Sequence, residues 1–287
     1  MIDRTGYPPG VPCWIDVTQP DVEATKAFYG SLFGWTYDVR TPDDAPASYA
    51  YAMLDGHFVA AVAGPPGDTD PSGWTSYVCV DSATDTLGKV ESGGGTVLAP
   101  ATQAGPAGTF ALCADPEGAV FGLWQPGENR GVTLVNVHGT WNFSELHTAD
   151  PERAQRFYGS VFGWELSSFG LGEGSTAGFW RVPGYGDFLS QRDPEIRERQ
   201  ESVQAPAGFE DAVAIMQPLS EEGTGAVPRW TVTFAVDDAD AAYARALEGG
   251  ATAVVPLFDT EYTRTGTVRD PQGAELNLGE YRPPSAG

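Results

Sequence analysis

The feature that most constrains this chain is that its two halves carry the same words in the same order. WIDVTQPDVEATKAFYGSLFGW at 14–35 is matched by FSELHTADPERAQRFYGSVFGW at 143–164. WTSYVCVDSATDTLGKVESGGG at 74–95 is matched by WTVTFAVDDADAAYARALEGGA at 230–251, and ADPEGAVFGLW at 114–124 by RDPQGAELNLGE at 269–280. A fold built from such a chain must place equivalent elements twice. Phe28 precedes Asp81 by 53 residues and Phe157 precedes Asp237 by 80, so the second half holds 27 extra residues after its first helix. We read a first domain over 1–128, a second over 129–287, and an insertion around 171–215, with the turn-rich WQPGENRGVTLVN as the linker.

Within each half, an alternating strand, a helix and further strands occur twice. Strand side chains alternate between faces, so Trp14, Asp16 and Thr18 share one face, and Phe143, Glu145 and His147 share one in the second half. Asp21 and Asp150 are placed to cap helices, whose apolar stripes are Ala24, Ala27, Phe28 and Leu32, or Ala154, Phe157, Tyr158 and Val161. Glycine pairs at 93–95 and 249–250 end the later helices. In the insertion, Asp193, Pro194 and Glu195 predict the N-terminus of a short helix. It reads equally as a lid beside a pocket or as a surface excursion.

Gly 36 and Pro 23 fit many short strands with tight turns. A formal charge of -23 repels phosphate backbones and anionic lipid, so nucleic acid and membrane are not expected partners. No signal-like segment or stretch of ~20 apolar residues is present, which places the protein in the cytoplasm as an expectation. Cys13, Cys79 and Cys113, without CxxC spacing, read as reduced core thiols. The glycine-rich ESGGGT and GLGEG segments lack a phosphate-binding pattern.

The order strand, helix with FYGxxFGW, strand ending in VD, helix, GG and DPxG resembles the vicinal-oxygen-chelate superfamily of glyoxalases, bleomycin-resistance proteins and extradiol dioxygenases, from about Val11 to Glu280. The resemblance implies an α+β fold of tandem βαβββ modules: four modules forming two glyoxalase-like domains, each curving into a cup. It also implies a divalent metal held by His and Glu from module strands. At the corresponding places this chain has Trp14 and Phe143, Thr75 and Thr231, Gly122 and Asn277, with His57 near a further one. These are poor ligands. We therefore expect no metal and no cofactor.

Aromatic residues occupy or flank these positions. Trp14, Trp74, Trp124, Phe143, Trp180 and Trp230, with Asn277, are the expected substrate-binding residues of a cup suited to a flat or apolar small molecule; each tryptophan also reads as core or as a seal between halves. The catalytic candidates are Glu145 and His147 as an acid/base pair, with Asp16 equivalent to Glu145 and Arg181 and Glu275 behind them. The competing reading gives His147 a turn-capping role and Glu145 an arginine partner at the domain interface. The expected function is metal-independent capture of a small hydrophobic or aromatic compound, a secondary metabolite or drug, for sequestration or tailoring. The alternative is an enzyme of the glyoxalase, dioxygenase or hydroxylase type, metal-free through Glu145 and His147 or with an unrecognised metal site. Both a monomer and a homodimer are compatible with the fused halves.

Overall fold

A computed structural model describes residues 2–3, 6–39, 48–64, 73–167, 177–202, 205, 208–219 and 227–282. Residues 171–176, 203–204 and 206–207 of the expected insertion, and the whole of the GLGEG segment, lie outside the described residues. After a two-residue strand β1 (Ile2–Asp3), the first half runs β2 (Pro12–Thr18), α1 (Val22–Phe33), β3 (Thr36–Val39), β4 (Tyr49–Leu54) and β5 (His57–Ala63). The same order returns as β6 (Gly73–Cys79), α2 (Ala83–Ser92), β7 (Thr96–Gln103), β8 (Gly108–Ala114) and β9 (Val120–Pro126). A short β10 (Leu134–Val135), paired with β1, leads to the second half. There β11 (Thr140–Thr148), α3 (Pro151–Phe162), β12 (Glu165–Ser167), β13 (Gly178–Arg181), α4 (Tyr185–Ser190), α5 (Ile196–Ser202) and β14 (Ala212–Pro218) form the third module. The fourth is β15 (Arg229–Ala235), α6 (Ala239–Glu248), β16 (Thr252–Asp259), β17 (Thr263–Arg269) and β18 (Glu275–Tyr281).

Each half forms one eight-stranded mixed sheet, β3-β4-β5-β2-β6-β9-β8-β7 or β12-β13-β14-β11-β15-β18-β17-β16. The two modules of a half meet through the antiparallel pair β2–β6 or β11–β15. This is the expected tandem α+β architecture.

Local sequence sets the helix ends. Asp21 accepts from the Ala24 amide and Asp150 from the Arg153 amide, while Gly34 and Gly163 close the C-termini in the left-handed conformation. In α3 the buried stripe is the expected one, Ala154, Phe157, Tyr158 and Val161. In α1 the stripe is rotated: Ala24 and Ala27 are exposed, and Thr25 and Tyr29 are buried with Phe28 and Leu32. The cause is polar, since the Thr25 hydroxyl donates to the Gln19 side chain and Tyr29 to Asp270, contacts that a hydrophobic pattern does not register. The insertion helix begins at Ile196, two residues after Pro194, and a second helix, α4, precedes it. Among the described residues no helix is long and apolar enough to cross a membrane.

The halves pack through their helix-bearing faces, with α1 against α6 and α2 against α3. Both hydrophobic clusters therefore draw residues from both halves. Two equivalent latches fasten this layer. Tyr29 donates to Asp270 Oδ2 at 2.8 Å and accepts from Trp74 Nε1 at 3.0 Å. Tyr158 donates to Asp115 Oδ2 at 3.0 Å and accepts from Trp230 Nε1 at 2.9 Å. Each aspartate uses its other oxygen to hold the DPxG turn, Asp115 taking the Glu117 and Ala119 amides and Asp270 those of Gln272 and Ala274. The turn word in one half and the FYG word in the other are thus two ends of one contact. Trp35 Nε1 reaches the Gly139 carbonyl and Trp164 Nε1 the Gly10 carbonyl in the same reciprocal way.

Removing the Tyr158 hydroxyl leaves a buried aspartate oxygen and a tryptophan N–H short of a partner, whereas Asp270 Oδ2 would keep its 2.6 Å bond from Gln19 Nε2 if the Tyr29 hydroxyl were removed. Tyr158→Phe is expected to lower stability by about 1–3 kcal/mol, and Tyr29→Phe by less. Urea denaturation of the two single variants and the double variant checks this. A loss near zero in each would show that the latch does not fasten the halves.

Candidate functional site

Because the helix-bearing faces meet, the opposite face of each sheet forms an outward cup. Register decides its lining. In the first half Trp14 stands opposite Tyr77, Asp16 opposite Thr75, and Tyr77 beside Gly122. In the second half Phe143 stands opposite Thr233, Glu145 opposite Thr231, and Thr233 beside Asn277.

The first cup is filled by its own side chains. Trp14 Nε1 donates to Tyr49 Oη at 2.8 Å; Tyr49 and Tyr77 donate to the two oxygens of Asp16 at 3.1 and 3.3 Å. Tyr51 packs edge-on to both Trp14 and Tyr49, and against Phe58. The linker straps this side: Trp124 Nε1 donates to the Asn129 carbonyl, and Thr133 exchanges hydrogen bonds with the Phe58 backbone. Burial pushes the Asp16 carboxyl up to about 7, against the lowering effect of the two phenols. A side chain on Gly122 would begin 2.0 Å from the Tyr77 ring, so glycine stands at the family's glutamate position because the ring takes that space. His57 lies at the edge, with Nδ1 3.5 Å from the Thr133 hydroxyl.

The second cup is lined by polar groups. Thr233 donates to Glu145; Asn277 Nδ2 donates to Thr233 at 3.2 Å, and Thr267 donates to Asn277 Oδ1 at 2.7 Å. Burial raises the Glu145 carboxyl above its ordinary value, opposed by the bonds from Thr233 and Asn277. His147 Nε2 lies 3.2 Å from the Thr231 hydroxyl, and burial, then the nearby Arg229 charge, hold the imidazole down at about 4, opposed by Glu275. His147 is therefore neutral at pH 7. Glu145 and His147 share a face, as the alternation requires, but among the described residues no hydrogen bond or ion pair joins them. Glu145 has threonine and asparagine partners rather than an arginine, and His147 bonds across to β15 rather than capping the next turn. Arg181 faces Glu165 at 3.7 Å, and Glu275 bridges Arg229 and Arg269.

Three phenylalanines rim this cup. Phe143, Phe179 and Phe209 contact one another at ring separations of 5.1–6.3 Å. Phe209 arrives on a 3-10 turn, Phe209–Asp211, which ends the insertion. Phe143 and Phe209 also wall a cavity of about 290 Å³ bounded by Tyr185, Leu189 and Ile196 of the insertion helices and by Tyr7 and Pro12 of the first half.

The expected binding residues thus separate into three places. Phe143 and Asn277 line the second cup. Trp14 and Trp124 line the first, which is already full. Trp74, Trp180 and Trp230 lie on the opposite face in the layer between halves, where Trp74 and Trp230 serve the latches and Trp180 is 0% exposed against Tyr158 and Trp164. The aromatic-cup expectation is corrected for these three: period two puts Trp74 and Trp230 one residue out of phase with the cup-facing Thr75 and Thr231. Tyr49, Tyr77, Thr233, Phe179, Phe209 and Arg229 were not singled out from sequence. The alternation in RWTVTFA places Arg229, Thr231 and Thr233 on one face; nothing local points Phe209 back to the cup.

The metal positions fail as a ligand set. Trp14, Thr75 and Gly122 in one cup, and Phe143, Thr231 and Asn277 in the other, offer a filled space and weak neutral donors, so the residues present do not fit the family's divalent ion. Among the described residues no group of three His, Cys, Asp or Glu could hold one elsewhere. The three cysteines are free and buried.

A family model described as Glyoxalase/Bleomycin resistance protein/Dioxygenase superfamily matches residues 13–123 and 142–278. The chain is 37% identical over 282 residues to a Mycobacterium tuberculosis (strain CDC 1551 / Oshkosh) protein named "Putative glyoxylase CFP32", covering 97% of each. It is 34% identical over 301 residues to "Anthracycline biosynthesis protein DnrV" of Streptomyces peucetius, covering 99% of this chain and 98% of that one. Among solved structures, the Mn(II)-bound glyoxalase from Novosphingobium aromaticivorans superposes with a TM-score of 0.59 at 16% identity, over 95% of this chain and 82% of that one. At that identity the likeness concerns the fold alone.

Proposed function

Because the chain belongs to the glyoxalase/bleomycin resistance protein/dioxygenase superfamily, whose members use one cup for many chemistries, we propose that it binds a small, largely aromatic molecule in its second cup without a metal. The observation that carries this reading is the asymmetry between cups. One is plugged by Trp14, Tyr49 and Tyr77, whereas the other keeps a chain of hydrogen-bonding groups under a phenylalanine rim beside a cavity of about 290 Å³. That cavity, which shares Phe143 and Phe209 with the cup but not Thr231, Thr233 or Asn277, lies at the small end of ligand sites and suits two or three fused rings. Rings supply stacking area with few torsions to freeze, and the threonines and Asn277 would orient whatever part of the ligand passes the phenylalanine rim. A relative named for anthracycline biosynthesis is consistent with a polycyclic ligand in secondary metabolism.

Isothermal calorimetry with anthraquinone tests the proposal. We expect one site per chain, about tenfold weaker binding in Phe143→Ala or Phe209→Ala, and unchanged binding in Trp124→Ala. Two equivalent sites, or indifference to both phenylalanine variants, would overturn it.

A second reading, metal-free acid–base catalysis in the same cup, is favoured by one observation: Glu145 is a buried carboxyl with a raised pKa. It predicts that Glu145→Gln abolishes turnover of a bound compound while leaving its affinity within about twofold; equal turnover in wild type and variant removes Glu145 from any such role.

A further inference from the structure

The second cup has an unbalanced cation at its mouth. Arg229, Glu275 and Arg269 stand on the cup-facing side of β15, β18 and β17. The single Glu275 carboxylate serves both guanidiniums, but unequally. Arg269 Nη2 donates to Glu275 Oε1 at 2.6 Å. Arg229 Nη2 lies 3.1 Å from Oε2, yet that oxygen has no hydrogen-bond partner among the described residues, so this contact is an ion pair without a well-aimed N–H. The hydrogen bond that Arg229 does make is from Nη1 to its own neighbour, the Val227 carbonyl, at 3.3 Å, and its Nε–H is buried without an acceptor. A guanidinium carries five N–H donors in a planar fork, and this one is mostly uncommitted. Its side chain keeps 35% exposure beside His147.

The other charged groups around the cup have other partners. Arg181 is matched by Glu165, Glu145 is bonded by Thr233 and forms no ion pair with an arginine among the described residues, and His147 stands against Thr231. Two arginines share one carboxylate at this mouth, in a chain whose formal charge is -23. At ordinary ionic strength the distant acidic surface is screened beyond ~10 Å, so the local cation sets the field that a ligand meets.

We propose that Arg229 is an anion-recognition residue of the second cup, selecting aromatic ligands that carry a carboxylate. A planar fork with free donors matches a carboxylate in two-point contact. This inference rests on the reading of the second cup as the binding site and adds the substrate class, an aromatic acid rather than a neutral polycycle.

The test compares anthraquinone-2-carboxylate with its methyl ester by calorimetry at low and high salt. The acid is expected to bind about tenfold more tightly than the ester in wild type, with the difference shrinking as salt rises. Arg229→Gln should erase the preference while leaving ester affinity within about twofold, and Arg229→Lys should retain part of it. Circular dichroism of each variant establishes that it is folded. Equal affinity of acid and ester in wild type, with ester binding still weakened in Phe143→Ala, overturns the anion inference alone. Failure of both compounds to bind overturns the cup reading with it. A preference for the acid that persists in Arg229→Gln assigns the selectivity to another cation and also overturns the proposal.

Discussion

Gly122→Glu, which installs the residue type that the family uses as a metal ligand, is expected to destabilise the first half by about 3 kcal/mol or more and to create no metal site. The first new atom would lie 2.0 Å from the Tyr77 ring, far inside contact distance. The ring must therefore leave, and with it goes the Tyr77 hydroxyl bond to Asp16. Overpacking a close-packed site typically costs about 1–3 kcal/mol, and the Asp16 oxygen that loses Tyr77, while the other keeps Tyr49, adds about 1 kcal/mol or more. Urea denaturation gives the magnitude. The diagnostic comparison is Gly122→Ala made alone and in a Tyr77→Ala background, where the ring no longer occupies the space. If the alanine costs as much in the double variant as in the single one, the clash with Tyr77 is not the cause.

Asp16 gives the second large effect, and its sign depends on pH. Its carboxyl titrates near 7 in the folded protein against an ordinary value of 3.8, because burial disfavours the charged form. The folded state therefore holds the proton more tightly than the unfolded chain. The stabilisation from this group is complete below about pH 3.8 and is lost progressively as pH rises through about 7. The interval corresponds to on the order of 2–4 kcal/mol. Asp16→Asn keeps a neutral side chain that accepts from one phenol at every pH. Relative to wild type, the variant is expected to be near neutral or slightly destabilised at pH 5 and more stable at pH 8.5, by a difference of about 2 kcal/mol or more. Denaturation curves at the two pH values, subtracted between variant and wild type, isolate this group from other buried carboxyls such as Asp115 and Glu145. A difference that does not change with pH would show that Asp16 is already charged in the folded state.

Both effects arise in the cup that we exclude as a ligand site. Asp16 and Glu145 occupy equivalent positions and are both buried carboxyls with raised pKa values, yet their neighbours differ in kind. Two phenols close over Asp16 and fill its cup. A threonine and an asparagine hold Glu145 from the side, and no ring hydroxyl bonds it among the described residues. Duplication supplied the same frame twice, and ring-sized side chains at 49 and 77 in one copy fill the space equivalent to the site that we propose in the other.

Short-range rules account for the part of this fold that can be read along the chain. The repeated words, the caps at Asp21 and Asp150, the glycine stops and the period-two strands specify four similar modules and the faces of their strands, because capping, turn geometry and alternation act over a few residues. Even there, α1 shows the limit: its buried stripe follows the partners of Thr25 and Tyr29, one of which is 241 residues away. The remaining features come from contacts between distant strands. Trp74, Trp180 and Trp230 line no cup because the helix-bearing faces of the two sheets meet and need large rings to fill the layer. Tyr77 excludes a side chain at 122 because β6 and β9 lie side by side, although the residues are 45 apart in the chain. Phe209 reaches Phe143 only through the return of the insertion, and Arg229 has only a share of Glu275, on a parallel neighbouring strand, because that carboxylate also takes a hydrogen bond from Arg269. Composition and pattern record what a residue can do, whereas the site depends on which partners are left for it once distant strands have paired.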